Sequence, residues 1–114
     1  MVSMNDKLKP RVARAVERFA ETLRAALGDD LVEIRVFGSQ VTGRATDESD
    51  VDLFVLVRKR TWAVESTVSD AAFEAGLESD LFLAPTIYGQ DELARPALRN
   101  SPFVRNVYRE GVAA

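Results

Sequence analysis

Between Val51 and Val57 the chain is apolar at every position but one, the exception being Asp52. A strand with one wet face alternates apolar and polar residues, so an unbroken run predicts a strand covered on both faces. That demand is severe for a chain of 114 residues, which has room for one domain (residues 1–114) and one core. The cover has to come from amphipathic segments before and after the run. The fold class this predicts is α/β (α+β), a small mixed β-sheet flanked by helices.

The flanking sequence supplies those elements. From Asn5 to Leu27 apolar residues recur at three-and-four spacing (Leu8, Val12, Val16, Phe19, Leu23, Leu27), with arginines and glutamates between them, which predicts an amphipathic helix. Pro10 near its start is tolerated only if the helix proper begins about there, and Gly28 stops it. Leu31 to Phe37 alternates as a half-exposed strand, with Val32, Ile34 and Val36 on one side and Glu33 and Arg35 on the other. Gly38 to Ser49 is a loop with a short helical turn. After Val57, Arg58-Lys59-Arg60 is a solvated strand exit. Ala63 to Leu77 is a helix whose end begins at Gly76, and Leu81 to Tyr88 a second apolar strand. Pro85 marks that strand as an edge or a bulge. Gln90 to Leu98 is a short helix or turn interrupted at Pro96. In the last helix Asn100 or Ser101 caps, Pro102 takes the first position and Gly111 stops.

Two missing residue types narrow the chemistry. The chain has no Cys and no His, which excludes disulfides, thiol nucleophiles, zinc clusters and every histidine-dependent triad. What remains is carboxylate, hydroxyl, amine, guanidinium and backbone chemistry, and any metal is a hard, oxygen-liganded ion. The net charge of −3 argues against direct nucleic-acid binding by the whole surface. The longest apolar stretch is too short for a membrane span, and the polar start from Met1 to Asp6 lacks a signal sequence, so the expected location is cytoplasmic.

The informative segment runs from Gly38-Ser39 to Asp50-Val51-Asp52. Period two places Asp50 and Asp52 on one face at the start of the most buried strand. Two carboxylates side by side repel, and a bound divalent cation or exposure at the strand end removes the conflict. Gly38 allows close backbone approach, and exposed N–H groups with the Ser39 hydroxyl suit phosphate oxygens. A lone Gly-Ser or Asp-x-Asp is ordinarily a turn. Together, bridging two strands, they form a phosphate-and-metal constellation. Trp62, Phe73, Phe82 and Phe103 are expected in the core or an interface, and Tyr88 and Tyr108 in structural roles. Arg44 lies in the phosphate-side loop, where a surface role is the alternative.

Gly38-Ser39, ten residues, then Asp50-Val51-Asp52 resembles the signature of the nucleotidyltransferase superfamily related to DNA polymerase β, in particular its minimal members. Gly43, Ser49 and the ending Arg109-Glu110-Gly111-Val112 add to the likeness. The resemblance implies a nucleotidyltransferase fold with Asp50 and Asp52 as catalytic and metal-binding residues, holding Mg²⁺ or Mn²⁺, and with Gly38 and Ser39 binding the nucleotide. The implied activity is metal-dependent transfer of a nucleoside monophosphate, AMP from ATP, to a hydroxyl of a protein or other macromolecule.

The family's third acid falls near Ala84, which carries no carboxylate. Asp80 lies four residues earlier, about 13 Å along a strand, too far to substitute. The alternative is therefore a catalytically weak nucleotide-binding domain acting as an antitoxin-like partner of a HEPN-type helical protein, in a toxin–antitoxin system. A homo-oligomer is the competing account of any association.

Overall fold

The computed structural model describes residues 4–114. Its helices are α1 (Met4–Lys7), α2 (Pro10–Leu27), α3 (Ser39–Thr42), α4 (Trp62–Ser79), α5 (Gln90–Leu93), α6 (Pro96–Arg99) and α7 (Pro102–Glu110). The strands β1 (Leu31–Phe37), β2 (Val51–Val57), β3 (Leu83–Gly89) and β4 (Val112–Ala113) form one sheet in the order β3-β2-β1-β4. β1 runs antiparallel to β2 and β4, while β2 and β3 are parallel, joined by the crossover helix α4. The sheet is thus mixed and flanked by helices, as the sequence predicts.

The run in β2 is covered on both faces. Val51, Leu53, Val55 and Val57 join the main core with Val16, Phe19 and Leu23 of α2 and Val68, Ala72 and Ala75 of α4. On the other face Phe54 and Leu56 pack with Val107 of α7, bordered by Phe37, Tyr88, Leu93 and Phe103. The ring of Phe54 meets Tyr88 and Tyr108 at 5.7 Å, and Phe37 meets Phe103 edge-on at 5.4 Å. Tyr108 is structural: its hydroxyl donates to Glu33 at 2.8 Å, and Arg35 lies over its ring. Burial, then the hydrogen bond to Glu33, pushes its pKa up to about 12.

Several expectations need correction. The helix predicted over 5–27 is broken at Leu8 and Lys9. Lys9 is extended (φ −61°, ψ 148°), because a residue before proline is crowded out of the helical region, and α2 starts at Pro10. Val32 leaves the core, 41% exposed, because the β1–β2 register shifts between Leu31 and Glu33. β3 begins at Leu83 instead of Leu81, and Pro85 lies on the sheet edge in a regular register, without a bulge. Pro96 opens α6, and Ser101 caps α7 by accepting from the Val104 N–H at 3.3 Å. β4 was not foreseen, since two residues after a glycine carry no strand periodicity.

The basic assignment is extended and the aromatic one changes. Arg58, Lys59 and Arg60 are all exposed as expected, and Arg60 in addition grips Glu92 of α5 with two hydrogen bonds, of 2.9 and 2.8 Å. The run therefore ends in a clamp between the exit of β2 and α5. Trp62, Phe73 and Phe82 are 82%, 68% and 66% exposed, so the core part of that expectation fails; only Phe103 packs against the core.

Gly76 does not end α4, which continues to Ser79 and closes on Asp80 in the left-handed region (φ 54°). Gly76 is instead a contact point: a Cβ there would stand 2.5 Å from the Leu81 carbonyl oxygen, where the chain turns back toward β3. Alanine is ordinarily favoured over glycine inside a helix by about 1 kcal/mol. Gly76→Ala is nevertheless expected to lower stability by about 1–3 kcal/mol, the cost of overpacking against fixed backbone. Urea denaturation measures it, and a midpoint above that of the parent would assign Gly76 to a mere helix weakness.

Candidate functional site

β1 and β2 are joined by a segment that begins as a turn and finishes as a carboxylate pair. Gly38 leaves β1 with φ 80° and ψ −155°, a conformation open to glycine and strained for other residues. Its carbonyl accepts from the N–H groups of Val41 and Thr42, which closes the single turn of α3. Gly43 ends that turn in the left-handed region (φ 80°, ψ 12°). The N–H groups of Ser39 and Gln40, in the first turn of α3, have no acceptor within the helix. Among the described residues the Ser39 hydroxyl has no hydrogen-bond partner, so it is available.

Asp52 lies directly against this turn. A Cβ built on Gly38 would overlap the Asp52 carboxylate and stand 3.2 Å from its Cγ. Close approach is therefore a second reason for glycine at this position. Asp50 is exposed, immediately before β2, and Asp52 is half-buried, one residue inside it. Burial raises the pKa of Asp52 above its ordinary value, and the charge of Asp50 raises it further. The structure thus brings Gly38, Asp50 and Asp52 into one neighbourhood, with Ser39 beside Gly38 at the start of α3.

Gln40 escaped the sequence reading. It is the one buried polar side chain among the described residues, 8% exposed, and its amide donates to the carbonyls of Ser49 (3.2 Å) and Asp50 (3.4 Å). It ties the turn after β1 to the residue that carries the first carboxylate. Nothing local marks it, because glutamine in a short helical turn is ordinarily solvated. Beside it, Ser49 forms its own small turn, its Oγ accepting from the Thr46 N–H at 2.9 Å.

Ala84 is paired with Asp52 across β2 and β3, on the same face of the sheet. The position beside Asp52 on the next strand therefore holds a methyl group. Asp80 is the C-cap of α4, outside β3, and borders a groove on the α4 side. It is not brought to the pair. Arg44 is exposed and uses its N–H to hold the Ser39 carbonyl.

Two hard carboxylates pressed together, one partly desolvated, form a donor set that suits Mg²⁺ or Mn²⁺ better than a soft metal. Among the described residues no group of three or more acidic, His or Cys side chains is arranged to hold a metal ion by itself. Two carboxylates alone are an incomplete ligand set for such an ion. A glycine turn with N–H groups unpaired within its helix, beside such a pair, defines a class, the domains that handle phosphate esters through acidic side chains.

The comparisons give the family. The sequence model of the nucleotidyltransferase domain matches residues 16–106, and the chain belongs to that family. It is also 28% identical over 78 residues to a protein of Methanocaldococcus jannaschii whose name reads "putative protein adenylyltransferase", an alignment covering 68% of this chain and 79% of that one. Among the described residues no helix is long and apolar enough to cross a membrane.

Two outcomes follow from this geometry. Gly38→Ala is expected to cost about 1–3 kcal/mol, part from the left-handed backbone and part from the overlap with Asp52. In the Asp52→Ala background the overlap disappears and the cost falls to the backbone part alone. A double-mutant cycle by urea denaturation reads the difference, and strict additivity would show that the two residues do not meet.

The second outcome concerns pH. The folded-state pKa of Asp52 lies above the ordinary value of 3.8 that it has in the unfolded chain. Between those two values the native state holds more protons than the unfolded chain, so stability falls as pH rises through that window. At pH 7 the charged carboxylate opposes folding, and Asp52→Asn is expected to raise the melting temperature. The gain should vanish below pH 3.8, where the carboxyl is protonated in both states. Thermal melts across this range check it.

Proposed function

We propose that this chain transfers AMP from ATP onto a hydroxyl of a protein or other macromolecule, in a metal-dependent nucleotidyl transfer. The observation that carries the proposal is the contact of Gly38 with Asp52, which makes the phosphate turn and the carboxylate pair one site. The name of the Methanocaldococcus jannaschii relative supports a protein hydroxyl as acceptor.

In this reading the N–H groups at the start of α3 and the Ser39 hydroxyl hold the terminal phosphates. Asp50 and Asp52 hold Mg²⁺ or Mn²⁺. The cation neutralises triphosphate charge and orients the α-phosphate when bound. The acceptor hydroxyl oxygen would then bond to the α-phosphorus and give up its proton to solvent, while the bond to the bridging oxygen breaks and pyrophosphate leaves. Gln40 keeps Asp50 in register by fixing the carbonyl of that residue.

A second reading is favoured by a specific observation, the methyl group of Ala84 beside Asp52. With no carboxylate there to take the acceptor proton, the isolated chain is a weak catalyst that binds nucleotide and acts through a partner. In the form the family resemblance implies, that partner is a HEPN-type helical protein and this chain is its antitoxin.

Calorimetry with magnesium and ATP tests the site common to both readings. Asp50→Asn with Asp52→Asn is expected to abolish magnesium-dependent ATP binding, and unchanged affinity would remove the proposal. Labelled ATP separates the readings. Slow AMP transfer by the parent, accelerated at least tenfold in Ala84→Asp, places the missing base at position 84. Fast transfer by the parent alone would show that another group accepts the proton.

A further inference from the structure

On the face of the sheet away from Phe54, α4 and β3 leave a groove of about 620 Å³. Phe73 and Leu77, one helical turn apart, stand on one side, 68% and 67% exposed, and Phe82 stands on the other, 66% exposed. Gly76 and Pro85 line the space between them. Single exposed apolar residues are ordinary, but several side chains of this size around one concavity form a contiguous patch of the kind that binds a partner.

Charge says what kind of partner. The groove carries Asp47, Glu48 and Asp80 and no cation. The acidity extends along α4, which carries Asp70, Glu74 and Glu78 besides Glu65, the partner of Arg60, and contains no Lys or Arg. Cations of and around α2 reach the border: Arg11 donates to the Ser79 carbonyl at 3.4 Å. Lys9 lies 4.0 Å from Asp47 with both side chains largely exposed, and Arg18 lies 3.4 Å from Glu78. Such exposed pairs are weak and leave the carboxylates open to another cation.

The edge of the sheet decides the shape of the occupant. Val51 N–H donates to the Phe82 carbonyl at 2.9 Å, so even-numbered positions of β3 turn their backbone groups toward β2 and odd-numbered ones outward. Pro85 is therefore an outward position without an N–H. An added strand would lose a ladder bond there, which is how natural sheets block edge pairing. A helix makes no such demand; its apolar side chains at i, i+3 and i+4 can enter a concavity lined by Phe73, Leu77 and Phe82.

We propose that this groove binds an amphipathic helix of a partner protein whose apolar face is flanked by lysine or arginine. A second copy of this chain is a poorer occupant, because a two-fold contact sets the same acidic rim against itself. The surface is independent of the proposed nucleotide site: Leu83 and Pro85 share the face of Val51 and Leu53, whereas Asp52 and Ala84 share the opposite one.

The test uses the full chain and two synthetic helical peptides of about 18 residues, five turns. Both carry leucine at i, i+3 and i+4; one has lysine at the other positions and the second has glutamate. Nuclear magnetic resonance titration is expected to show the lysine peptide binding, with shifts centred on Phe73, Leu77 and Phe82, and no binding of the glutamate peptide. Phe73→Ser with Phe82→Ser should weaken binding at least tenfold. Asp47→Lys with Glu48→Lys, on exposed loop positions that do not threaten folding, should weaken the lysine peptide to a similar degree. Magnesium–ATP affinity should be unchanged in the first of these variants, which keeps this outcome separate from that of the nucleotide site. Binding of neither peptide, equal binding of both, or shifts centred elsewhere would overturn the proposal. So would a parent that sediments as a dimer and becomes monomeric in Phe73→Ser, since the occupant would then be a second copy.

Discussion

The structure depends on burying β2 from both sides. Val51, Leu53, Val55 and Val57 need α2 and α4 on one face, and Phe54 and Leu56 need α7 and its aromatic neighbours on the other. Burying side chains of this size contributes about 1.5–3 kcal/mol each, so no arrangement that leaves either face wet competes. The three-layer order follows, and so does the position of the site. Asp52 is the one polar residue of β2. It is tolerated because it stands at the strand's beginning, where cover is incomplete.

That position carries an electrostatic cost. Asp52 is partly desolvated and has Asp50 for a neighbour, and both effects disfavour its charge. Natural chains retain such conflicts where a ligand relieves them, and a divalent cation on phosphate is the ligand this pair suits. The surrounding backbone is built to keep the conflict in place. Gly38 has no side chain to push the carboxylate aside, and the buried amide of Gln40 holds the approach to Asp50. The nucleotidyltransferase family to which the chain belongs gives this geometry its chemical context.

The two faces of the sheet differ in character. The Asp52 face combines a glycine turn and carboxylates with the aromatic cluster around Phe54. The α4 and β3 side is acidic and studded with exposed Phe73, Leu77 and Phe82, more suited to a protein surface. A chain of this size can serve both because the sheet separates them.

Much of this was legible in residue order. Helix and strand periods are local properties, so α2, β1, β2, α4 and α7 could be placed from spacing, and Pro10, Pro102 and Gly111 act within one turn of themselves. The candidate site could be picked out for the same reason: Gly38-Ser39 and Asp50-Val51-Asp52 are short patterns at strand ends. The position of the missing third acid came from the resemblance, and the parallel register of β2 and β3 sets Ala84 beside Asp52. Other features exist only between distant segments. Whether Gly76 ends a helix or admits a returning chain depends on where Leu81 passes. Whether the exposed Arg60 has a carboxylate partner depends on Glu92, 32 residues away. The two-residue strand β4 is defined by its pairing with β1, and the burial of Gln40 by the loop that closes over it. Phe73 and Phe82 look like core residues in sequence, because hydrophobicity states a preference for burial. Only the tertiary arrangement decides whether this chain has a surface to satisfy it.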